Sequence, residues 1–226
     1  MDFKAVLKKW KEYSKISELP IIARRKFFNN CFDGALTSAG IVSGFLILFL
    51  MNPKLLTPLN VMITGFATAL AIGISGLWGA FLSEEAERKK KIMDLKKAMA
   101  ISEETEIEDL KGYKHRRFRI FKKTNSKKEK SVIEKAEHFA TIVASLVDGG
   151  APVLGAALPL IPFFFGTELT IYHFVISYLI LVGLLIYLGI FLGNISGGGR
   201  VKYAVNLVIA GLVTLLISIF LGAIAG

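Results

Sequence analysis

Five stretches of this chain, 27–51, 60–82, 138–165, 168–193 and 203–225, are apolar over lengths that can cross a bilayer. A hydrocarbon core takes roughly 20 residues of helix, and a segment inside it must satisfy its backbone hydrogen bonds without water. Helices do so locally, so the pattern predicts an all-α, polytopic membrane protein with five transmembrane helices. The first block begins late and is too long for the apolar core of a secretory signal, so it reads as a span. The single cysteine, Cys31, excludes an internal disulfide and a cysteine-built zinc site.

Charge gives the orientation. The formal net charge is +10, and the basic residues are segregated. Residues 1–26 hold 8 Lys and Arg, 83–137 hold 17 and 194–202 hold 2, while the links on the opposite side hold only Lys54. Basic loops stay in the cytosol. The expected organisation is therefore a cytoplasmic amphipathic N-terminal segment at 1–26, spans 1 and 2 within 27–82, a small basic helical cytoplasmic domain at 83–137, and spans 3 to 5 within 138–226. The N-terminus faces the cytosol and the C-terminus faces out. Phe3, Val6, Leu7, Trp10 and Tyr13 follow helical spacing among lysines. That pattern suits a helix lying on an anionic leaflet or one packed on the cytoplasmic domain. Within 83–137 two or three short helices are expected. One continues out of the second span, one is capped at Ser102, and one runs into the third span after a basic turn at 114–130.

Two acids, Asp33 and Asp148, lie deep inside the spans, Glu168 standing only at the first position of the fourth, and no Lys or Arg lies within any span to neutralise them. An intramembrane carboxylate usually faces a bundle interior or a hydrated path, and it marks a cation or proton site unless it is a protonated hydrogen-bonding group. Asn29, Asn30, Asp33, Thr37, Gly40 and Gly44 recur at three- and four-residue steps and share a face. Thr141, Ser145, Asp148, Pro152, Gly155 and Pro159 do the same on the third span. A proline removes the hydrogen bond to the carbonyl four residues back. Pro152 thus frees the Asp148 carbonyl, and such oxygens can line a cavity. The candidate cation ligands are Asp33 and Asp148, with neutral oxygens from Asn29, Asn30 and Thr37. All are hard donors suited to divalent ions. Met62 and His173, near outer span ends, read as packing residues.

These residues also carry a resemblance. FFNNCFDGALTSAGIVSGF, with its DG-x-x-T-x-x-G core, resembles the first span of the vacuolar iron transporter family. AIGISGLWGAFLSEEAERKK is similar to that family's second span and its cytoplasmic exit, and ASLVDGGAPVLGAALPLIPF to its third. The resemblance covers roughly 24–226. It implies a homodimer that moves Fe²⁺ or Mn²⁺ out of the cytosol in exchange for protons, with Asp33 in the pore. It also implies metal collection by cytoplasmic acids and methionines, kept here as Glu84, Glu87, Met93 and Met99. The family's second-span methionine position holds Gly76, and the glutamate that follows it there is Ala80.

The expected function is therefore divalent cation transport, with metal and protons as substrates, membrane lipid as surroundings and no prosthetic group. The membrane is the cell membrane in a prokaryote or the vacuolar membrane in a eukaryote. The alternative is a membrane-anchored interaction protein whose basic segment, HRRFRIFKK at 115–123, binds anionic lipid or nucleic acid; under the transport reading a nucleic-acid partner is not expected. An enzyme is not expected: the sequence offers no nucleophile–base set, no zinc-spaced histidines and no phosphate loop.

Overall fold

Apolar helices with few interior breakers should run long, and they do. The computed structural model describes residues 3–109 and 116–225, and among them only helices, turns and short links occur. Six α-helices follow in order: α1 (Phe3–Ile16), α2 (Leu19–Met51), α3 (Pro58–Asp109), α4 (Arg116–Ala157), α5 (Ile171–Ser196) and α6 (Arg200–Ala225). Five segments are long and apolar enough to cross a membrane: Leu19–Met51, Pro58–Asp94, Val132–Phe164, Ile171–Ser196 and Arg200–Gly222.

Three expectations need correction. The first apolar helix begins at Leu19, so Arg24, Arg25 and Lys26 belong to α2 and do not precede it. Ser102 does not begin a helix, because it lies inside the 52-residue α3. The basic stretch expected as a turn is helical from Arg116 onward as the start of α4, while 110–115 lie outside the described residues. The cause is local. Neither Gly nor Pro interrupts 80–111 or 116–148, and Lys, Arg, Glu and Ala favour helix. Extending an existing helix costs far less than nucleating a new one, so the apolar helices continue into charged sequence. The third apolar segment ends as a 3-10 helix, Leu158–Phe164, where Pro159 and Pro162 deny the regular α ladder its donors.

The chain forms two compact units. One comprises Met1–Ala23 and Trp78–Leu146, the other Arg24–Leu77 and Val147–Gly226. In the first, Trp10 and Tyr13 of α1 set their rings against Phe139 of α4, at 5.8 and 6.2 Å. This contact places part of the apolar stripe of α1 against protein. In the same unit the Arg88 guanidinium of α3 pairs with buried Glu137 of α4. Glu84 lies 3.4 Å from Arg88 on its other side, and Lys91 lies 3.6 Å from Glu137.

The second unit is held by close backbone approach. A Cβ at Gly34 of α2 would collide with the Pro152 carbonyl of α4, and one at Gly155 of α4 with the Cys31 carbonyl. On the other flank of α4, a Cβ at Gly149 would strike Gly73 and Leu77 of α3. Small residues here let backbones meet, which is how helices pack when lipid gives no hydrophobic preference between them. Gly189 and Gly193 of α5 face Ala204 and Arg200 of α6, so this GxxxG pair is a packing seam, as its lack of an acid suggests. Gly197 closes α5 in the left-handed region (φ +66°), which a glycine adopts without penalty. Val42, Val61, Leu160, Phe163, Leu169 and Phe174 form a buried cluster, with Met62 packed against it. His173 shares a capping box with Thr170, and its Nε2 lies 2.6 Å from the Phe165 carbonyl oxygen. Both residues thus have the packing roles expected of them. Elsewhere, large apolar side chains such as Leu70, Ile74, Leu212, Leu216 and Phe220 are exposed, as lipid-facing positions require.

Candidate functional site

The two intramembrane aspartates stand in different surroundings. On α2, Gly34 and Ala35 are buried against neighbouring helices, and this fixes the rotation of the helix. Asp33, about 100° around from Gly34, is exposed. Its backbone carbonyl accepts the Thr37 hydroxyl at 3.0 Å. Among the described residues, no hydrogen bond or ion pair reaches its carboxylate. Asn29 is exposed one turn before it, and a Cβ at Gly40 or Gly44 would meet open space. Asn29, Asp33, Thr37, Gly40 and Gly44 therefore form an open stripe. Asn30, expected on the same face, turns instead toward α4.

Asp148 is engaged. Its Oδ2 pairs with the Lys26 ammonium and its Oδ1 accepts the Asn30 amide at 2.6 Å. The two charged side chains are only 20% and 12% exposed. The expectation that no basic residue neutralises the intramembrane acids is thus corrected for Asp148. Lys26 lies one residue before the apolar block but one helical turn below Asn30, so both reach the same carboxylate. That four-residue spacing puts Lys26 and Asn30 on one face of α2, but nothing in the sequence identifies α4 as the helix that face meets.

The oxygen freed by Pro152 also differs from its expected role. The Asp148 carbonyl points at α3, only 2.9 Å from where a Cβ on Gly76 would stand. The missing side chain at Gly76 admits this oxygen close to the backbone of α3. A longer side chain here would have to displace that contact.

Glu84 is half-buried beside Arg88, Glu87 is exposed, and Met93 is exposed. The Met99 side chain and those of 115–123 lie outside the described residues. Among the described residues, no group of three His, Cys, Asp or Glu side chains is placed to hold a metal ion. Sequence reasoning also missed Glu137, a buried carboxylate that shares Arg88 with Glu84.

The chain is similar to known proteins over most of its length. The chain is 26% identical over 164 residues to the uncharacterized protein MJ0645 of Methanocaldococcus jannaschii, which covers 73% of this chain and 70% of that protein. Residues 25–223 match the VIT family, and this range takes in all five apolar segments from Arg25 onward. With its multi-pass helical architecture, the chain belongs to the VIT family, the vacuolar iron transporter family, whose members are membrane transporters of metal cations.

Proposed function

We propose that this protein is a homodimeric, proton-coupled exporter that moves a divalent cation, Fe²⁺ or Mn²⁺, out of the cytosol. The observation that carries this reading is the bare Asp33 carboxylate on an apolar helix. A charge at the bilayer centre costs about 2.5–3.5 kcal/mol on insertion scales, so this face must meet water or protein. A second copy, related by a two-fold axis, brings Asp33 toward its own equivalent. Gly40 and Gly44 permit that approach, and Asn29 and Thr37 add neutral oxygens. The cation bridges the two carboxylates, and protons replace it on release. No prosthetic group takes part, and lipid surrounds the dimer.

Asp148 and Asn30 form a second set of oxygens on the path. Glu84 and Glu87, at the start of the charged half of α3, collect cations in the cytosol. The segregation of basic residues supports an N-terminus and a small helical domain at 83–137 in the cytosol and a C-terminus outside. The membrane is the cell membrane in a prokaryote and the vacuolar membrane in a eukaryote. In proteoliposomes with an internal metal-sensitive dye, the parent protein is expected to carry Fe²⁺ or Mn²⁺ and acidify the opposite compartment. Asp33→Asn loses at least 90% of that flux, roughly the tenfold that 1.4 kcal/mol represents, and Asp33→Glu keeps part of it. Undiminished flux in Asp33→Asn would remove the reading.

A further inference from the structure

Lys26, Asn30 and Asp148 form a charge-neutral set with a particular mechanical property. The backbones around Asp148 pack closely. Gly34 abuts Pro152 on one flank, and Gly76 meets the Asp148 carbonyl on the other. No helix can shift there without opening a close contact. The lysine stem is the movable part: four carbons ending in a compact ammonium. Its neighbours Arg24 and Arg25 are exposed and charged near the start of α2, and a lysine near a span end can carry its head to the membrane surface. Asn30 can also change role without backbone motion. Its amide nitrogen now donates to Asp148, and a half-turn of the amide would present its oxygen instead.

We infer that Lys26 is a tethered counter-cation at Asp148, displaced by a passing divalent ion and returning to expel it. In the resting state the ammonium holds Oδ2. An arriving cation brings twice the charge to the same place. Lys26 then swings to water, Asn30 turns, and Asp148 with Asn30 supplies two oxygens to the ion. Return of the ammonium restores the neutral set and lowers the affinity of the ion for the site. A carboxylate without this competitor would hold the ion longer. This inference rests on the transport reading above, and it adds a positioning and release role for a residue outside the apolar block.

The test is equilibrium Mn²⁺ binding to the detergent-purified full chain, followed by electron paramagnetic resonance, beside Mn²⁺ flux in proteoliposomes. Lys26→Gln is expected to bind Mn²⁺ roughly tenfold more tightly, a change in affinity that corresponds to the loss of one competing charge. Its flux should show a lower KM and a lower maximal rate. Lys26→Arg, which keeps the charge, should stay closer to the parent than Lys26→Gln does. Adding Lys26→Gln to Asp148→Asn should change binding no further, because the competitor then has no carboxylate to defend.

Unchanged or weaker binding in a monodisperse, helical Lys26→Gln protein overturns the inference. If Lys26→Gln does not fold, Lys26→Met takes its place, and failure of both to fold overturns the inference in favour of a purely structural brace. The two readings separate cleanly. Asp33-dependent flux with no effect of Lys26→Gln on binding defeats the counter-cation and leaves the transporter. Tighter binding in Lys26→Gln without flux in the parent defeats the transporter and leaves Asp148 as a cation site guarded by Lys26.

Discussion

Gly34 follows Asp33 directly and faces α4, while Asp33 faces outward. The glycine fixes the aspartate: close contact between its Cα and the Pro152 carbonyl sets the rotation of α2. A side chain there meets backbone that cannot step aside as a flexible side chain would. Gly34→Val is therefore expected to destabilise the protein by about 2 kcal/mol, within the usual range for overpacking, and to lower the melting temperature of the detergent-purified protein. A melting temperature equal to that of the parent would contradict the close approach. Asp148 illustrates the opposite outcome for the same residue type. Both of its oxygens have donors, and its backbone oxygen has a glycine for a neighbour. Its pairing was hidden in sequence because Lys26 lies 122 positions away, and no hydropathy or spacing rule links the two. Asn30 shows how narrow the margin is: a three-residue step from Asp33 was enough to move it to another face.

At the scale of elements, the long helices α3 and α4 continue from apolar into charged sequence, and an ion cluster among the described residues ties their charged parts. Arg88 pairs with Glu137, and both side chains are nearly buried. Removing one member of a buried pair strands the other in a poor dielectric, typically at 3–5 kcal/mol. Lys91 lies 3.6 Å from Glu137 and offsets part of that loss. Arg88→Met should therefore cost about 3 kcal/mol, at the low end of that range. It would be read as earlier proteolysis within 83–137 while the apolar helices remain protected. Simultaneous loss of both regions would show that the cluster supports more than its own unit. The Arg88–Glu137 pairing was not legible in sequence, where Glu84, at i−4 to Arg88, was the evident helical partner. The continuity of α3 through Ser102 was legible in principle. The absence of Gly and Pro outweighs a local capping signal when the helix already exists.

For the molecule as a whole, the open stripe on α2 and the segregation of charge each lead to an outcome that can be measured. Gly40 and Gly44 have empty space where a side chain would stand. Gly40→Leu with Gly44→Leu should leave the single chain folded and block its pairing. Light scattering on the purified protein is expected to show two copies for the parent and one for the variant, and an unchanged mass would count against pairing through this face. For orientation, Cys31 is buried and offers little background to thiol reagents. Cysteines introduced at exposed Lys54 and Lys89 should label with a membrane-impermeant maleimide from opposite sides, Lys54→Cys from outside and Lys89→Cys from the cytosol. Labelling of both from one side would contradict the orientation drawn from basic residues.

By itself the sequence determined how many segments can cross a membrane, where they lie and that the chain is helical. Those properties are sums over neighbouring residues, and hydropathy, proline and glycine act locally. It also exposed the DG-x-x-T-x-x-G core that ties the chain to its family. Only the tertiary structure decided that Asp148 is held by Lys26 and Asn30 while Asp33 stays bare. That outcome depends on the rotation of each helix about its axis and its register against the next. In apolar helices those settings are chosen by small side chains that let distant backbones touch, not by any pattern along the chain.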